Sequence, residues 1–358
     1  FRNQQRVGLV VGKMIAKPDQ VKTKAISQVI DEEALLSTEL LTLCFWVSQY
    51  YQSPLSEVIP LVLPKKYRSG EYHKPLMCDY YQLKKDQAEA LCEVSKAPRQ
   101  CELLALFSTR ETILSKKQIL QAGFTGLQLK SLLARDILGM TSRVERPTST
   151  RLGQTEHLAL NEEQRLAVET VSAHLNAFRC FLLQGVTGSG KTEVYLQVIA
   201  KVLAAGRQVL VLVPEIGLTP QLLERFHARF HEPMAVLHSN LNDSERQRAW
   251  LWAKETDVKL IIGTRTAIFT PMPDLGLIVI DEEHDQSLKQ LDGVRYSARD
   301  TALMRAHARN IPIILGSATP SLESLYNCLL HKYTRLFLTQ KAMNSAPLHY
   351  QVLDMRNQ

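Results

Sequence analysis

From about residue 180 to 330, short apolar runs alternate with stretches that repeat hydrophobic residues at helical spacing. The runs are Phe181–Leu183, Val209–Val213, Leu275–Ile280 and Ile313–Leu315. Each is short and free of polar residues, the pattern of a strand buried on both faces. Strands alternating with helices build βαβ units, so this part predicts a parallel sheet covered by helices on both sides.

The front of the chain reads differently. Arg6 to Met14 alternates weakly and carries glycines, which predicts a twisted strand. Leu36, Leu40, Leu43, Val47 and Tyr50 recur at helical spacing and predict a helix over 35–51. Together 1–66 reads as part of a small β-rich domain. Residues 67–99 carry prolines and mixed charges and read as a linker with a helix over 82–94. Residues 100–145 predict two or three short helices turning at Gly123, with Phe124, Leu127, Leu132, Leu133 and Ile137 on one apolar face. The Pro-, Thr- and Arg-rich stretch 142–156 reads as a second linker. The large α/β unit then spans 157–345, and 346–358 begins a further connection.

The sequence between the first two elements of that unit carries chemistry. Gly185, Val186, Thr187, Gly188, Ser189, Gly190, Lys191 and Thr192 spell G-x-x-x-x-G-K-[ST], placed after a strand and before a helix. Glycines let the backbone curl until its N–H groups face a phosphate chain, and the helix adds the positive end of its dipole. Lys191 should then reach the β- and γ-phosphates, and the Thr192 hydroxyl should bind Mg²⁺. Hydrolysis also needs a metal carboxylate and an oriented water. Asp281 and Glu282 follow the apolar run 275–280, where open α/β sheets bind ligands. Asp281 is placed for Mg²⁺ and Glu282 for the attacking water. Thus Lys191, Asp281 and Glu282 form the expected catalytic set, with ATP and Mg²⁺ as cofactors.

Charge sharpens the division between front and back. The net charge is +7, and residues 1–150 hold 21 Lys and Arg against 15 Asp and Glu. Residues 151–358 are close to balanced, with 22 against 21. A basic accessory region suits contact with a phosphate backbone, or is simply a basic solvated surface. The six cysteines make no C-x-x-C pair, so zinc is not expected in this chain. Scattered single cysteines fit a reducing cytoplasm. No run approaches 18 apolar residues, so no membrane span is expected. The chain starts at Phe1 and carries no visible signal peptide, which reads as a beginning inside a domain.

The order phosphate loop, Asp281-Glu282-Glu283-His284, then Ser317-Ala318-Thr319 is similar to that of superfamily 2 helicases, ATP-driven nucleic-acid motors with two RecA-like lobes. Val213–Pro220, Leu237–Arg246 and Ile311–Pro320 resemble, more closely, the bacterial replication-restart helicases of the primosomal protein N′ family. Trp46–Tyr51, with Pro54 and Leu61–Pro64, resembles the end of that family's N-terminal DNA-binding domain. The resemblance implies one RecA-like lobe preceded by a winged-helix-like domain and part of a DNA-binding domain. It implies that Gln164 pairs with adenine beside the loop residues Gly185, Thr187, Gly188, Ser189, Gly190, Lys191 and Thr192. His284, Ser317 and Thr319 would couple the ATP site to the strand groove. Thr219, Thr264 and Arg265 would touch the nucleic-acid backbone.

The family carries an aromatic-rich loop after D-E-E-H. Here 285–300 keeps Tyr296 alone, with Leu288 and Val294 where rings are expected and Lys289, Arg295 and Arg299 as cations that would contact the nucleic-acid phosphates. Base stacking contributes about 1–3 kcal/mol per base, so strand sensing by this loop should be weakened. Trp46, Tyr50 and Tyr51 could stack on bases or fill a core, and the helix from Thr125 could enter a groove or serve a spacer. The resemblance further implies 3′-to-5′ translocation, forked or single-stranded DNA as partner, contact with primosome proteins and single-strand-binding protein, and a cytoplasmic monomer. No arginine motif of a second lobe follows Thr319, so this chain is expected to bind ATP–Mg²⁺ weakly and hydrolyse it slowly. The same motifs would serve a duplex translocase that does not unwind, or a DNA-binding loading platform with a secondary ATPase.

Overall fold

A computed structural model describes residues 6–12, 25–70, 77–107, 112–145, 147 and 159–340. The chain divides into two compact units, one of residues 1–72 with 147–358 and one of residues 73–146. Among the described residues, no helix is long and apolar enough to cross a membrane.

The first unit opens with α1 (Thr38–Tyr50), α2 (Leu55–Val62) and α3 (Lys65–Arg68). Ser37 caps α1 by accepting from the Leu40 amide at 3.3 Å. The expected strand is not formed over 6–12, which carries no regular structure, and its last residues lie outside the described set. Leu40, Leu43 and Val47 turn inward as the spacing requires, but Tyr50 does not and is 61% exposed. It stacks on Trp46 with ring centroids 4.8 Å apart, so the aromatic group is neither core nor wholly free. Tyr51 is half-buried, and its hydroxyl accepts from the Ser297 amide at 3.1 Å.

The second unit holds β1 (Met77–Leu83), α4 (Gln87–Glu93), α5 (Pro98–Ala105), β2 (Leu114–Ser115), α6 (Lys116–Gln121), α7 (Gly126–Ala134) and β3 (Leu138–Val144). Its three strands form an antiparallel sheet in the order β2-β1-β3, beside the short helices expected of a winged-helix module. The stretch read as a linker over 67–99 instead supplies the central strand of that sheet. Its residues alternate only weakly in polarity, which hid the strand. The helix placed over 82–94 begins at Gln87, and 142–144, read as linker, completes β3. Gly123 makes the predicted turn with φ +88°. One core residue was misplaced. Leu127 is 79% exposed and Leu129 is buried, because α7 begins at the Thr125 cap and turns 129 and 132 inward.

The first unit then resumes with α8 (Glu162–Ser172), β4 (Cys180–Gly185), α9 (Lys191–Ala204), β5 (Gln208–Leu212), α10 (Pro220–Arg229), β6 (Met234–Leu237), α11 (Asp243–Lys254), β7 (Leu260–Gly263), β8 (Leu275–Ile280), α12 (Ala298–Arg309), β9 (Ile313–Ser317), α13 (Leu322–Leu329) and β10 (Tyr333–Leu338). The seven strands are parallel, in the order β10-β4-β9-β8-β5-β7-β6. All six residues of β8 and all five of β9 are buried, as continuous apolar runs demand. Chain order and sheet order differ, so the ends of β4, β9 and β8 meet at the carboxyl edge.

A buried charge ties α1 to this sheet. Arg305 of α12 is fully buried, with Nε donating to Glu39 Oε1 at 2.7 Å and Nη1 to the Ile268 carbonyl at 2.6 Å. Removing one partner of such a pair leaves an uncompensated buried charge. Glu39→Ala is therefore expected to destabilise the chain by about 3–5 kcal/mol. Urea denaturation followed by circular dichroism checks this, and a loss near that of an exposed ion pair would contradict it.

Candidate functional site: a nucleotide site at the carboxyl edge of the sheet

The loop between β4 and α9 takes the shape its glycines allow. Gly188 and Gly190 sit at φ +82° and +84°, left-handed conformations that side chains resist. A Cβ on Gly185 would lie 2.4 Å from the Ser189 hydroxyl. That hydroxyl is buried and has no hydrogen-bond partner among the described residues. The Lys191 ammonium donates to the Gly185 carbonyl at 2.9 Å, across the loop it belongs to. Thr192 stands beside it, half-buried in the first turn of α9.

The carboxylates face this loop. Asp281 leaves the end of β8 with its amide bonded to the Leu212 carbonyl at 2.9 Å. Burial, with the Glu282 charge second, raises the Asp281 carboxyl above its usual range. A hydrogen bond from Tyr195 and the Lys191 charge oppose the shift. Glu282 has φ +47°, a left-handed turn that costs an ordinary residue about 1–2 kcal/mol. The turn brings its carboxylate to 3.9 Å from Lys191 Nζ and 3.5 Å from His284 Nδ1. Lysine, aspartate and glutamate thus converge as the spacing predicted. A glycine cradle, an orphaned hydroxyl and an ammonium held opposite two carboxylates fit a triphosphate and a divalent cation.

His284 joins the next strand end. Its ring nitrogens lie 2.8 Å from Ser317 Oγ and 3.3 Å from Thr319 Oγ1, and Ser317 Oγ accepts from the Thr319 amide at 3.0 Å. The three residues expected to couple the site therefore form one hydrogen-bonded cluster. Gln164 is buried against the loop. It is 3% exposed, its carbonyl accepts from the Asn161 amide at 3.0 Å, and its NH₂ donates to the Ser189 carbonyl at 2.9 Å. In this geometry it braces the loop, with one N–H and one carbonyl lone pair of the amide still to spare.

The expected strand contacts divide. Lys289 and Arg295 are exposed. Arg265 donates to Gln290 Oε1 at 2.6 Å and to the Ser287 carbonyl at 3.1 Å, which ties its turn to the loop after D-E-E-H. Thr219 caps α10 by accepting from the Leu222 amide, and Thr264 is buried. Arg299 is committed inward, to Glu283 at 3.1 Å and to Ser321 at 2.8 Å, and so corrects the expectation of a phosphate contact. Tyr296 is fully buried against Phe269, and Leu288 and Val294 are buried too. All three are packed inward, so none of them is placed to stack on a base.

Two residues escaped the sequence reading. Glu283 accepts from the Ser321 amide at 2.7 Å, the Ser321 and Ser324 hydroxyls, and Arg299. Its place inside D-E-E-H was the available signal. Tyr195 donates to Asp281 Oδ1 at 3.0 Å from the fifth residue of α9, and no local pattern marks it.

Comparison with known proteins places the chain. Residues 161–328 match the DEAD/DEAH box helicase family, and residues 1–64 match the 3′DNA-binding domain (3′BD). Replication restart protein PriA of Haemophilus influenzae is 39% identical over all of this chain and 50% of its own length. The protein of the same name from Chlamydia trachomatis is 38% identical over 90% of this chain and 44% of its own. The chain thus spans about half the length of these curated relatives. Among solved structures, RecG bound to a three-way DNA junction aligns with a TM-score of 0.40 at 22% identity, covering 53% of this chain and 25% of that one.

The raised Asp281 carboxyl has a consequence for stability. The folded state prefers its neutral form, so its contribution is present at low pH and is lost as pH rises from roughly 4 through the raised folded value. At neutral pH the desolvated charge opposes folding. Asp281→Asn is expected to raise the thermal midpoint of the nucleotide-free chain at pH 7, with the gain shrinking as pH falls through the raised folded value and gone below roughly 4. Melting curves across that range check it, and a lowered midpoint at pH 7 would contradict it.

Proposed function

The chain belongs to the family of the replication restart proteins PriA, and from that premise we propose that it forms the DNA-binding and first motor portion of an ATP-dependent DNA helicase that restarts replication at stalled forks. The observation that carries the reading is the seating of Lys191 3.9 Å from Glu282 at the carboxyl edge of one sheet. Lys191 would hold the β- and γ-phosphates, and the loop amides of 185–190 the rest of the phosphate chain. Thr192 and Asp281 would hold Mg²⁺, which neutralises charge on the phosphate oxygens when bound. Glu282 would orient and deprotonate the attacking water. His284, Ser317 and Thr319 would report the state of that site to the strand, through the hydrogen bonds that already join them.

On the DNA side, Thr219, Thr264 and Arg265 would line the groove, with Lys289 and Arg295 as exposed cations near it. Gln164, whose amide keeps one N–H and one carbonyl lone pair beyond its two present hydrogen bonds, would pair with adenine. The reading includes 3′-to-5′ movement, branched or single-stranded DNA as substrate, primosome proteins and single-strand-binding protein as partners, and action as a cytoplasmic monomer. The basic front half supports a DNA-handling role.

Two measurements test this. ATP hydrolysis by the complete protein should rise on adding forked DNA, and equal rates with and without it would discard the motor. Lys191→Ala should lower that DNA-stimulated rate by about 10²–10³-fold, the cost of removing one preorganised charge-stabilising group.

A further inference from the structure

The phosphate loop and the metal carboxylate arise from strands that are not neighbours. β9 lies between β4 and β8, so the two strand ends stand roughly 10 Å apart, two interstrand spacings. One side chain crosses that gap. Tyr195 leaves the first turns of α9, is buried throughout, and donates its hydroxyl hydrogen to Asp281 Oδ1 at 3.0 Å. It passes directly over Gly316 of β9. A Cβ on Gly316 would lie 1.5 Å from the Tyr195 hydroxyl oxygen and 3.4 Å from Asp281 Oδ1. No alanine fits there while the tyrosine holds its place. The slot for the hydroxyl is therefore made by the missing side chain of the intervening strand.

We infer that Tyr195 is a positioning residue for the metal carboxylate, tying the helix that carries Lys191 and Thr192 to Asp281 through the slot left by Gly316. The inference rests on the nucleotide-site reading above and adds a residue to it. Its physical basis is orientation. Tyr195 donates to one of the two Asp281 oxygens, Oδ1, and so fixes the rotation of the carboxylate that a cation or its bound water would meet. Mg²⁺ demands near-ideal octahedral geometry and keeps several waters, so a carboxylate free to rotate binds it less well. Partners that orient a metal ligand are commonly worth about 10–100-fold in metal affinity.

The link also serves geometry between elements. Thr192 is on α9 and Asp281 is at the end of β8, and both are needed around one ion. Tyr195 sits on the same helix as Thr192, so its bond to Asp281 fixes the spacing between the two would-be ligands. A bare packing role for the tyrosine would call for its ring alone, and the hydroxyl would then be a buried polar group without purpose.

The test uses the full chain, a non-hydrolysable ATP analogue, and Mn²⁺ as the metal probe read by electron paramagnetic resonance. Tyr195→Phe keeps the ring and removes the hydroxyl. It should weaken Mn²⁺ binding in the presence of the analogue by about 10–100-fold, with analogue affinity in chelator unchanged. Gly316→Ala should give the same metal-selective loss, because the new methyl group expels the hydroxyl. If wild type binds Mn²⁺ and analogue but Tyr195→Phe binds Mn²⁺ equally well, the positioning role is overturned and the nucleotide site stands. A Tyr195→Phe loss that is equal with and without metal would also overturn it, in favour of packing. If wild type itself binds neither, the nucleotide-site reading fails, and the inference with it.

Discussion

The structure depends on one constraint, the order in which parallel strands lie in the sheet. β4 carries the phosphate loop, β8 the carboxylates and β9 the serine and threonine partners of His284, and the sheet places β9 between the other two. Continuous burial of β8 and β9 gives the layer its rigidity, since each strand end is held by ladders on both sides. Chemistry then needs only the residues that leave those ends. Lys191, Asp281 and Glu282 converge without any long loop having to be ordered to bring them together.

Around that edge, several polar side chains bond one another across turns. Glu283 gathers four donors from Arg299, Ser321 and Ser324, which fixes the turn after β9 to the turn after β8. Arg265 fixes its own turn to the loop 285–297. Tyr51 and Glu39 of the front helices reach the same region through Ser297 and Arg305. A buried charge is tolerable only when paired, so these contacts also limit how far the segments can shift independently. The part of the chain matching a 3′DNA-binding domain is thereby packed against the turns that the proposed motor would use on DNA.

The site is held at a cost to the fold. Glu282 occupies a left-handed conformation, Asp281 carries a desolvated carboxyl and Ser189 buries a hydroxyl without a partner. A strained turn, a desolvated carboxyl and an unpaired hydroxyl thus meet at one edge, where a ligand would relieve them.

Local sequence determined the parts whose physics is local. Uninterrupted apolar runs fixed the buried strands, because only a strand covered on both faces buries every residue. The glycines and lysine of 185–192 announced their backbone shape, since left-handed turns need glycine. Asp281 and Glu282 were legible from following such a run. Tertiary structure alone decided which strand lies between which, and so which side chains meet across it. Tyr195 and Gly316 are 121 residues apart and carry no shared pattern, yet one fits only because the other has no Cβ. Arg299 and Tyr296 likewise looked available to a ligand until packing turned them inward. A linear pattern records which face a residue can take within its own element, and contacts between elements are set by the sheet order that assembles them.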